Sequence, residues 1–261
     1  MAKKYEKQTL IFNVDRRDYL QRIFCVLYLP HRNKTICVEI GMLKDKDWFM
    51  IFLMGATFVF LTVSGIVFKQ SFLRMIPLYV SLIVAILQSR VNRYAPLIGG
   101  INSVIYAAVY AYYHLYASAA YALLVSCPLQ IITFALWSKR PWQNSVMLKK
   151  LTLMQRIIMI FGAMAAWFVI CHFLSGTASN YRELDTAVTI LGIIATVLMM
   201  LSYYEYTFAM LSGGICSILL YIAMLRNAPE QATFLGYSIY SLICTIVALR
   251  RVRVIYAEQQ K

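Results

Sequence analysis

Residues 99–107 read GGINSVIYA, and residues 213–223 read GGICSILLYIA. Both stretches begin with Gly-Gly-Ile, carry serine at the fifth position and return to tyrosine and alanine within a few residues. A likeness of this kind indicates either a duplicated unit or a chance similarity of two apolar helices. The class of protein decides between them, and the composition gives the class.

The composition is that of a protein embedded in lipid. Of the 261 residues, 61% are hydrophobic and 14% are charged, and the mean hydropathy is +0.66. Soluble domains have about 45–50% apolar and about 25% charged residues. The net charge of +14 would suit a nucleic-acid partner, but the basic residues bracket long uncharged runs instead of clustering with aromatic residues. This pattern predicts a multi-pass membrane protein without a nucleic-acid partner.

The uncharged runs give the number of crossings. A helical crossing needs roughly 20 residues. The run 94–138 has 45 residues and accommodates two crossings with a tight turn, so we predict eight transmembrane helices. The other runs each accommodate one crossing: 48–68, 75–89, 157–181, 186–204, 206–225 and 231–249.

The basic residues also predict the orientation. With both termini in the cytoplasm, 21 of the 25 lysines and arginines fall in cytoplasmic segments, as the positive-inside rule requires. We therefore expect a multi-pass protein of a bacterial cell membrane. Residues 18–29, DYLQRIFCVLYL, precede the crossings and predict either a helix lying at the headgroup level or a short helix packed on cytoplasmic loops.

The two similar stretches lie in the third and seventh helices. The fourth and eighth helices echo each other as well, with Ala135-Leu136 and Ala248-Leu249 before their basic ends. We predict that helices 2–4 and 6–8 are two copies of a three-helix unit, made parallel by helix 5, as in the SWEET sugar transporters. The predicted segments are a basic N-terminal segment (1–46), an accessory helix (47–68), a first repeat (75–137), a basic loop (138–155), a linker helix (156–174), a second repeat (185–250) and a cytoplasmic tail (251–261).

Polar and aromatic side chains recur at helical spacing on the inner helices. Buried amides are costly unless they are paired, so we expect these side chains to face the bundle interior. Each could hold helices together or contact a solute; as a set, they predict a pocket for a flat polar molecule. Pro128 lies within this region and predicts a bend or a free carbonyl in helix 4. The candidate substrate-binding residues are Asn102, Tyr106, Gln130, Thr133, Trp137, Ser217, Tyr221 and Tyr240.

Charged residues are missing from the middle of every predicted crossing. Coupled carriers usually place a carboxylate there, so the sequence favours uncoupled, facilitated movement and argues against an intramembrane enzyme. The six cysteines show no paired spacing and suit apolar packing. We expect no catalytic residues, no metal and no cofactor.

Three stretches resemble the PnuC family of bacterial vitamin transporters: INSVIYAAVYAYYHLYASAAYALL (101–124), CPLQIITFALWSKR (127–140) and ELDTAVTILGIIATVLMMLSYYEY (183–206). The resemblance runs from about helix 2 to Arg251. It implies facilitated diffusion of nicotinamide riboside, thiamine or a similar nucleoside-like vitamin, with trapping by a cytoplasmic kinase. The sequence leaves open whether the protein forms a homo-oligomer. The alternative is a substrate-binding or sensing membrane protein that needs a partner for transport.

The sequence departs from the family pattern where the substrate is held. After Glu205, the family carries tryptophans and then an asparagine on helix 7. Here those positions are Thr207, Met210 and Gly214, and a helix-4 glycine of the family is Thr133. The departures leave the expected fold intact but put the identity of the substrate in doubt.

Overall fold

The computed structural model of the protein describes residues 31–112, 114, 116–142, 145–173 and 181–260. Within these ranges, eight helices are long and apolar enough to cross a membrane, which confirms the predicted number. The helices are α1 (His31–Val67), α2 (Phe72–Ser89), α3 (Ala95–Tyr112), α4 (116–138), α5 (Leu153–Phe173), α6 (Arg182–Met200), α7 (Tyr206–Leu225) and α8 (Ala232–Gln259).

The chain divides between Ile51 and Phe52 into two compact units. In the first unit, residues 31–51 are helical, so the helix begins well before the uncharged run that starts at residue 48. The helix predicted over residues 18–29 lies outside the described residues. The contacts that position the candidate site all lie within the second unit.

The second unit includes the end of α1, which packs against α2 and α8. The Thr62 hydroxyl lies 3.0 Å from the hydroxyl of Tyr79 on α2. On α8, a Cβ at Gly236 would overlap the Phe60 ring, so only glycine allows this approach. Lipid offers no hydrogen bonds to a backbone, so the apolar runs must form complete helices. These helices then pack closely against one another.

The helices of the two predicted repeats pack in the same order. α3 packs between α2 and α4, and α7 packs between α6 and α8. Between the trios, α2 contacts α8 and α4 contacts α6, so each trio offers its first helix to the last helix of the other. Two parallel copies related by an axis along the membrane normal would give this reciprocal pattern. It supports the duplication, which stays a prediction. α5 packs on α6, and none of its residues is buried.

The same turn ends the first helix of each trio. Val91 follows α2 with φ of 52°, and Ser202 follows α6 with φ of 63°. The amide of the next residue bonds the carbonyl five residues back, Asn92 to Leu87 and Tyr203 to Leu198, at 3.0 and 2.9 Å. These are Schellman turns, whose left-handed position usually holds glycine. Here the left-handed position holds Val91 in one turn and Ser202 in the other, and both residues are buried.

Replacing Ser202 with glycine is expected to stabilise the protein by about 1 kcal/mol, because a left-handed conformation costs other residues about that much. Thermal unfolding of the purified protein in detergent measures the change. Ser212→Gly is the matched control, since it lies within α7 and should lower the melting temperature through the low helix propensity of glycine. A lower melting temperature for Ser202→Gly would show that the turn is not strained.

A π-helical segment directly precedes Pro128 in α4, where the sequence predicts a bend or a free carbonyl. The helix has an α-helical start (Tyr116–Tyr121), a π-helical segment (Ala122–Ser126) and an α-helical end (Cys127–Ser138). The Cys127 amide bonds the Ala122 carbonyl, five residues back. A proline cannot supply the amide that an α-helix needs, and the wider π turn directly precedes it. Such π turns often lie at functional sites.

The end of the bundle at which α2, α4 and α8 end in basic residues and α5 begins, called the basic end here, has a compact core. The Trp137 indole N–H donates to the Met199 carbonyl at 2.8 Å, and the ring lies edge-on to Tyr206. The loop after α4 forms two short paired strands, β1 (Pro141–Trp142) and β2 (Ser145–Val146). Gln259 of α8 then bonds both Val146 and Leu148, so the loop is held against the helix ends.

Candidate functional site

A cavity of about 250 Å³ lies between the two trios. α2 and α4 reach it from the first trio, and α6, α7 and α8 form the rest of its wall. The lining is mostly apolar with a few hydrogen-bonding groups, which is typical of small-molecule sites. Its polar side chains are Gln88, Gln130, Thr196, Ser217, Ser241 and Thr245.

The cavity is uncharged: none of the described residues that line it is acidic or basic. Its most distinctive group is the Gln130 side chain, whose Oε1 is buried and has no hydrogen-bond partner among the described residues. A buried acceptor without a partner costs about 1–3 kcal/mol, so this oxygen is suited to a donor from a bound solute.

Of the glycine pairs in the two similar stretches, the pair on α7 lines this cavity and the pair on α3 packs against Gln130, which lines it. On α3, a Cβ at Gly99 would lie 3.2 Å from the Gln130 amide, so glycine makes room for that side chain. On α7, Gly213 and Gly214 line the cavity directly. The two similar stretches therefore share positions where glycine allows a neighbouring side chain to approach closely.

Buried side chains pack between the cavity and the basic end. α3 and α4 run antiparallel, because Gly99 lies at Gln130 while Ser103 bonds Ser126 at 2.9 Å. Trp137 lies seven residues beyond Gln130, which is about 10 Å along a helix. It is only 2% exposed and belongs to the core below the cavity. The predicted contact Trp137 therefore packs outside the cavity wall, and Thr133, 0% exposed, lies between it and Gln130 on the helix.

A polar network lies on the opposite side of the cavity. Asn102 donates from Nδ2 to the Ser81 hydroxyl at 2.8 Å, and its buried Oδ1 has no hydrogen-bond partner among the described residues. The side chains of Tyr106 and Tyr237 lie beside the same Ser81 hydroxyl. Tyr237 also lies beside Ser241, which lines the cavity. The network thus leads from the cavity towards the other end of the bundle.

The remaining predicted tyrosines flank this network. Tyr221 stacks on Phe234 with ring centroids 5.8 Å apart. Tyr240 is 1% exposed and donates its hydroxyl to the Leu82 carbonyl at 2.9 Å, which holds α8 against α2. Of the eight predicted residues, the structure places Gln130 and Ser217 in the cavity wall and the other six around it.

Several lining residues carry little signal in the sequence. Gln88 lies two residues before Arg90, where its position in the sequence indicates only the polar end of a short crossing. Thr196 and Thr245 bond carbonyls of their own helices, as threonines of membrane helices commonly do. Their pattern alone would not distinguish them from packing residues. The resemblance to PnuC points to the positions of Met210 and Gly214, and both line the cavity.

The sequence profile of the family described as Nicotinamide mononucleotide transporter matches residues 71–251. That range covers α2 to α7 completely and most of α8. The chain belongs to this family.

Two relatives add to this assignment. A protein named nicotinamide riboside transporter PnuC, from Neisseria mucosa, is 28% identical over 146 residues, which are 53% of this chain and 56% of that protein. The match therefore spans a little over half of the relative's length. A crystal structure of the vitamin B3 transporter PnuC superposes with a TM-score of 0.65 at 21% identity, covering 82% of this chain and 92% of that one. This likeness shows a shared fold.

The positions at which the resemblance to PnuC implies substrate contacts differ in their surroundings here. Thr207 is 0% exposed and contributes to the core instead of the cavity. A Cβ at Gly214 would lie 3.0 Å from Leu242 Cδ1, so Leu242 takes the space next to the glycine. Met210 provides polarisable surface, and none of the described lining residues is aromatic.

Proposed function

We propose that this protein carries nicotinamide riboside, or a closely similar nucleoside, across the bacterial cell membrane through the central cavity. One observation supports this most directly: an uncharged cavity of about 250 Å³, with an amide acceptor in its wall, lies between the trios of a family member. The amide N–H groups and ribose hydroxyls of such a solute are the donors that Gln130 Oε1 lacks.

The cavity favours the riboside over the phosphorylated mononucleotide. A buried phosphate needs cationic or multiple N–H partners, because removing its charge from water is costly. The described lining offers neither lysine nor arginine. The pyridinium ring of nicotinamide riboside carries a delocalised positive charge, which suits the amide oxygens of Gln88 and Gln130 and the sulfur atoms of Met199 and Met210.

The other predicted residues take part in entry and exit in this proposal. Asn102, Tyr106 and Tyr221 would contact the solute between the cavity and one end of the bundle. Thr133 and Trp137 would contact it when the basic end opens. Tyr240, whose hydroxyl is engaged with Leu82, would hold the moving helices together.

Transport by facilitated diffusion follows from the same uncharged wall. A coupled carrier needs a group whose charge changes or is compensated by the driving ion, and the wall provides no carboxylate. Net uptake would then require that the solute be consumed. We propose a kinase on the cytoplasmic side, because its phosphorylated product would no longer fit the cavity.

Liposomes that contain the purified protein test this proposal. We expect labelled nicotinamide riboside to equilibrate without an ion gradient or ATP, and the mononucleotide to stay outside. Gln130→Leu should weaken binding by roughly tenfold, the effect of losing one buried hydrogen bond, while Gln231→Leu at the start of α8 should not. A strict requirement for a proton or sodium gradient would contradict facilitated diffusion, and equal transport by both variants would contradict the assignment of Gln130.

A further inference from the structure

A second and larger cavity lies outside the central one. It has a volume of about 520 Å³ and lies between α5, α6 and α7. Two of its walls differ in character. Met159, Ile160, Ala163 and Met164 of α5 form an apolar side, whereas Arg156 and Glu205 lie at the basic end. The solute path described above uses none of the α5 residues.

The basic end of this groove is cationic. Arg156 bonds Glu205 at 2.8 Å and is still 32% exposed. Glu205 is also bonded by the Leu151 amide, and its charge offsets that of Arg156, so the net positive charge here comes from Arg253. Arg253 is exposed and lies over the ring of Phe208, 5.6 Å from its centroid. Because Phe208 lines the groove, the two arginines flank its mouth.

The apolar part of the groove has the length of one lipid leaflet. A smaller cavity of about 210 Å³ shares Ala163, Met164 and Leu191 with the larger one and extends to Trp167. From Arg156 to Trp167 the helix rises about 16 Å. Half of the roughly 30 Å hydrocarbon core of a bilayer is about 15 Å. An acyl chain that starts at the arginines would thus reach the end of the groove near the bilayer centre.

We propose that this groove binds an anionic phospholipid of the leaflet at the basic end. The headgroup phosphate lies between Arg156 and Arg253, where the guanidinium groups match its charge and geometry. One acyl chain follows the seam between α5 and α6 past Ala163 to Trp167. A zwitterionic lipid offers the same chain, but its headgroup amine opposes the arginines, so the site selects for negative charge.

The bound lipid also supports the wall of the central cavity. Leu191 and Ala209 line both cavities, so these side chains are the partition between the lipid and the solute. Since α5 buries no residue of its own, the lipid chain supplies packing that the protein lacks along this seam.

Two substitutions on α5 test the proposal as a matched pair. Ala163→Phe fills the groove, whereas Ala165→Phe adds the same ring to an exposed position on the same helix. The readout is the melting temperature in detergent with phosphatidylglycerol or phosphatidylcholine added. We expect phosphatidylglycerol to raise the melting temperature of the wild type and of Ala165→Phe by about 5 °C. Ala163→Phe should lose this shift, and phosphatidylcholine should have little effect on any of the three.

Arg253→Gln and native mass spectrometry provide a second readout that does not depend on stability. We expect this variant to retain at least fivefold less phosphatidylglycerol than the wild type and to transport its solute. Equal lipid retention by Ala163→Phe and Ala165→Phe would overturn the proposal. A wild-type oligomer that Ala163→Phe alone dissociates would also overturn it, because a second copy of the chain would then occupy the groove.

Discussion

Replacing Gly192 with phenylalanine is expected to abolish solute passage while leaving the protein folded. Gly192 lies on α6 in the wall of the central cavity, and a Cβ built there meets no atom within 4 Å. The ring would therefore enter open space without displacing a helix. In a cavity of about 250 Å³, a phenyl ring takes a large part of the volume that the solute needs. We expect uptake into liposomes to fall by more than tenfold.

The control for this experiment is Gly162→Phe. Gly162 lies on α5, outside the residues that line the central cavity, and a Cβ there also meets no atom within 4 Å. Both substitutions replace a helical glycine with the same side chain, so their effects on helix propensity cancel in the comparison. Normal uptake by Gly192→Phe, or equal losses for both variants, would show that the solute does not pass through the central cavity.

Replacing Glu205 with alanine is expected to lower the free energy of unfolding of the protein strongly. Glu205 is only 5% exposed. It accepts hydrogen bonds from Arg156 Nε at 3.1 Å and Nη2 at 2.8 Å, and from the Leu151 amide at 3.1 and 3.2 Å. Its removal leaves a partly buried arginine without a counter-charge and a buried amide without an acceptor. Together these should cost about 3 kcal/mol.

The measurement is thermal unfolding in detergent, where this loss should lower the melting temperature by roughly 6–12 °C. Glu230→Ala is the control, because Glu230 is exposed in the turn before α8 and its carboxylate should contribute little. If the two variants unfolded at the same temperature, Glu205 would not be what holds the loop after α4 to the start of α7.

The sequence predicts the crossings because lipid imposes a simple requirement on them. Uncharged runs of about 20 residues must form complete helices, so seven runs were enough to predict eight crossings. A turn between α3 and α4 divides the run 94–138 into two crossings. Pro128 likewise predicts a bend or a free carbonyl in α4, and a π-helical segment directly precedes it.

The site was harder to predict than the fold, because side chains of the same type serve different purposes at neighbouring positions. Gln130 and Trp137 lie seven residues apart on α4 and share one stripe, yet the first lines the cavity and the second packs in the core at the basic end. Tertiary packing determines this difference, and the spacing of the two residues along the helix does not reveal it. The glycine pairs of the two similar stretches carried more information, since each marks a place where a neighbouring side chain approaches closely.

The central claim is that the solute occupies the cavity between the two trios. Ser217 lines this cavity. Ser212, five residues earlier on α7, lines the second cavity, the groove between α5, α6 and α7. We would introduce a single cysteine at each position in a variant without the native cysteines, and measure maleimide labelling with and without nicotinamide riboside. The account predicts that the solute protects Ser217→Cys and leaves the labelling of Ser212→Cys unchanged. Unprotected labelling at position 217, or protection at position 212, would contradict it.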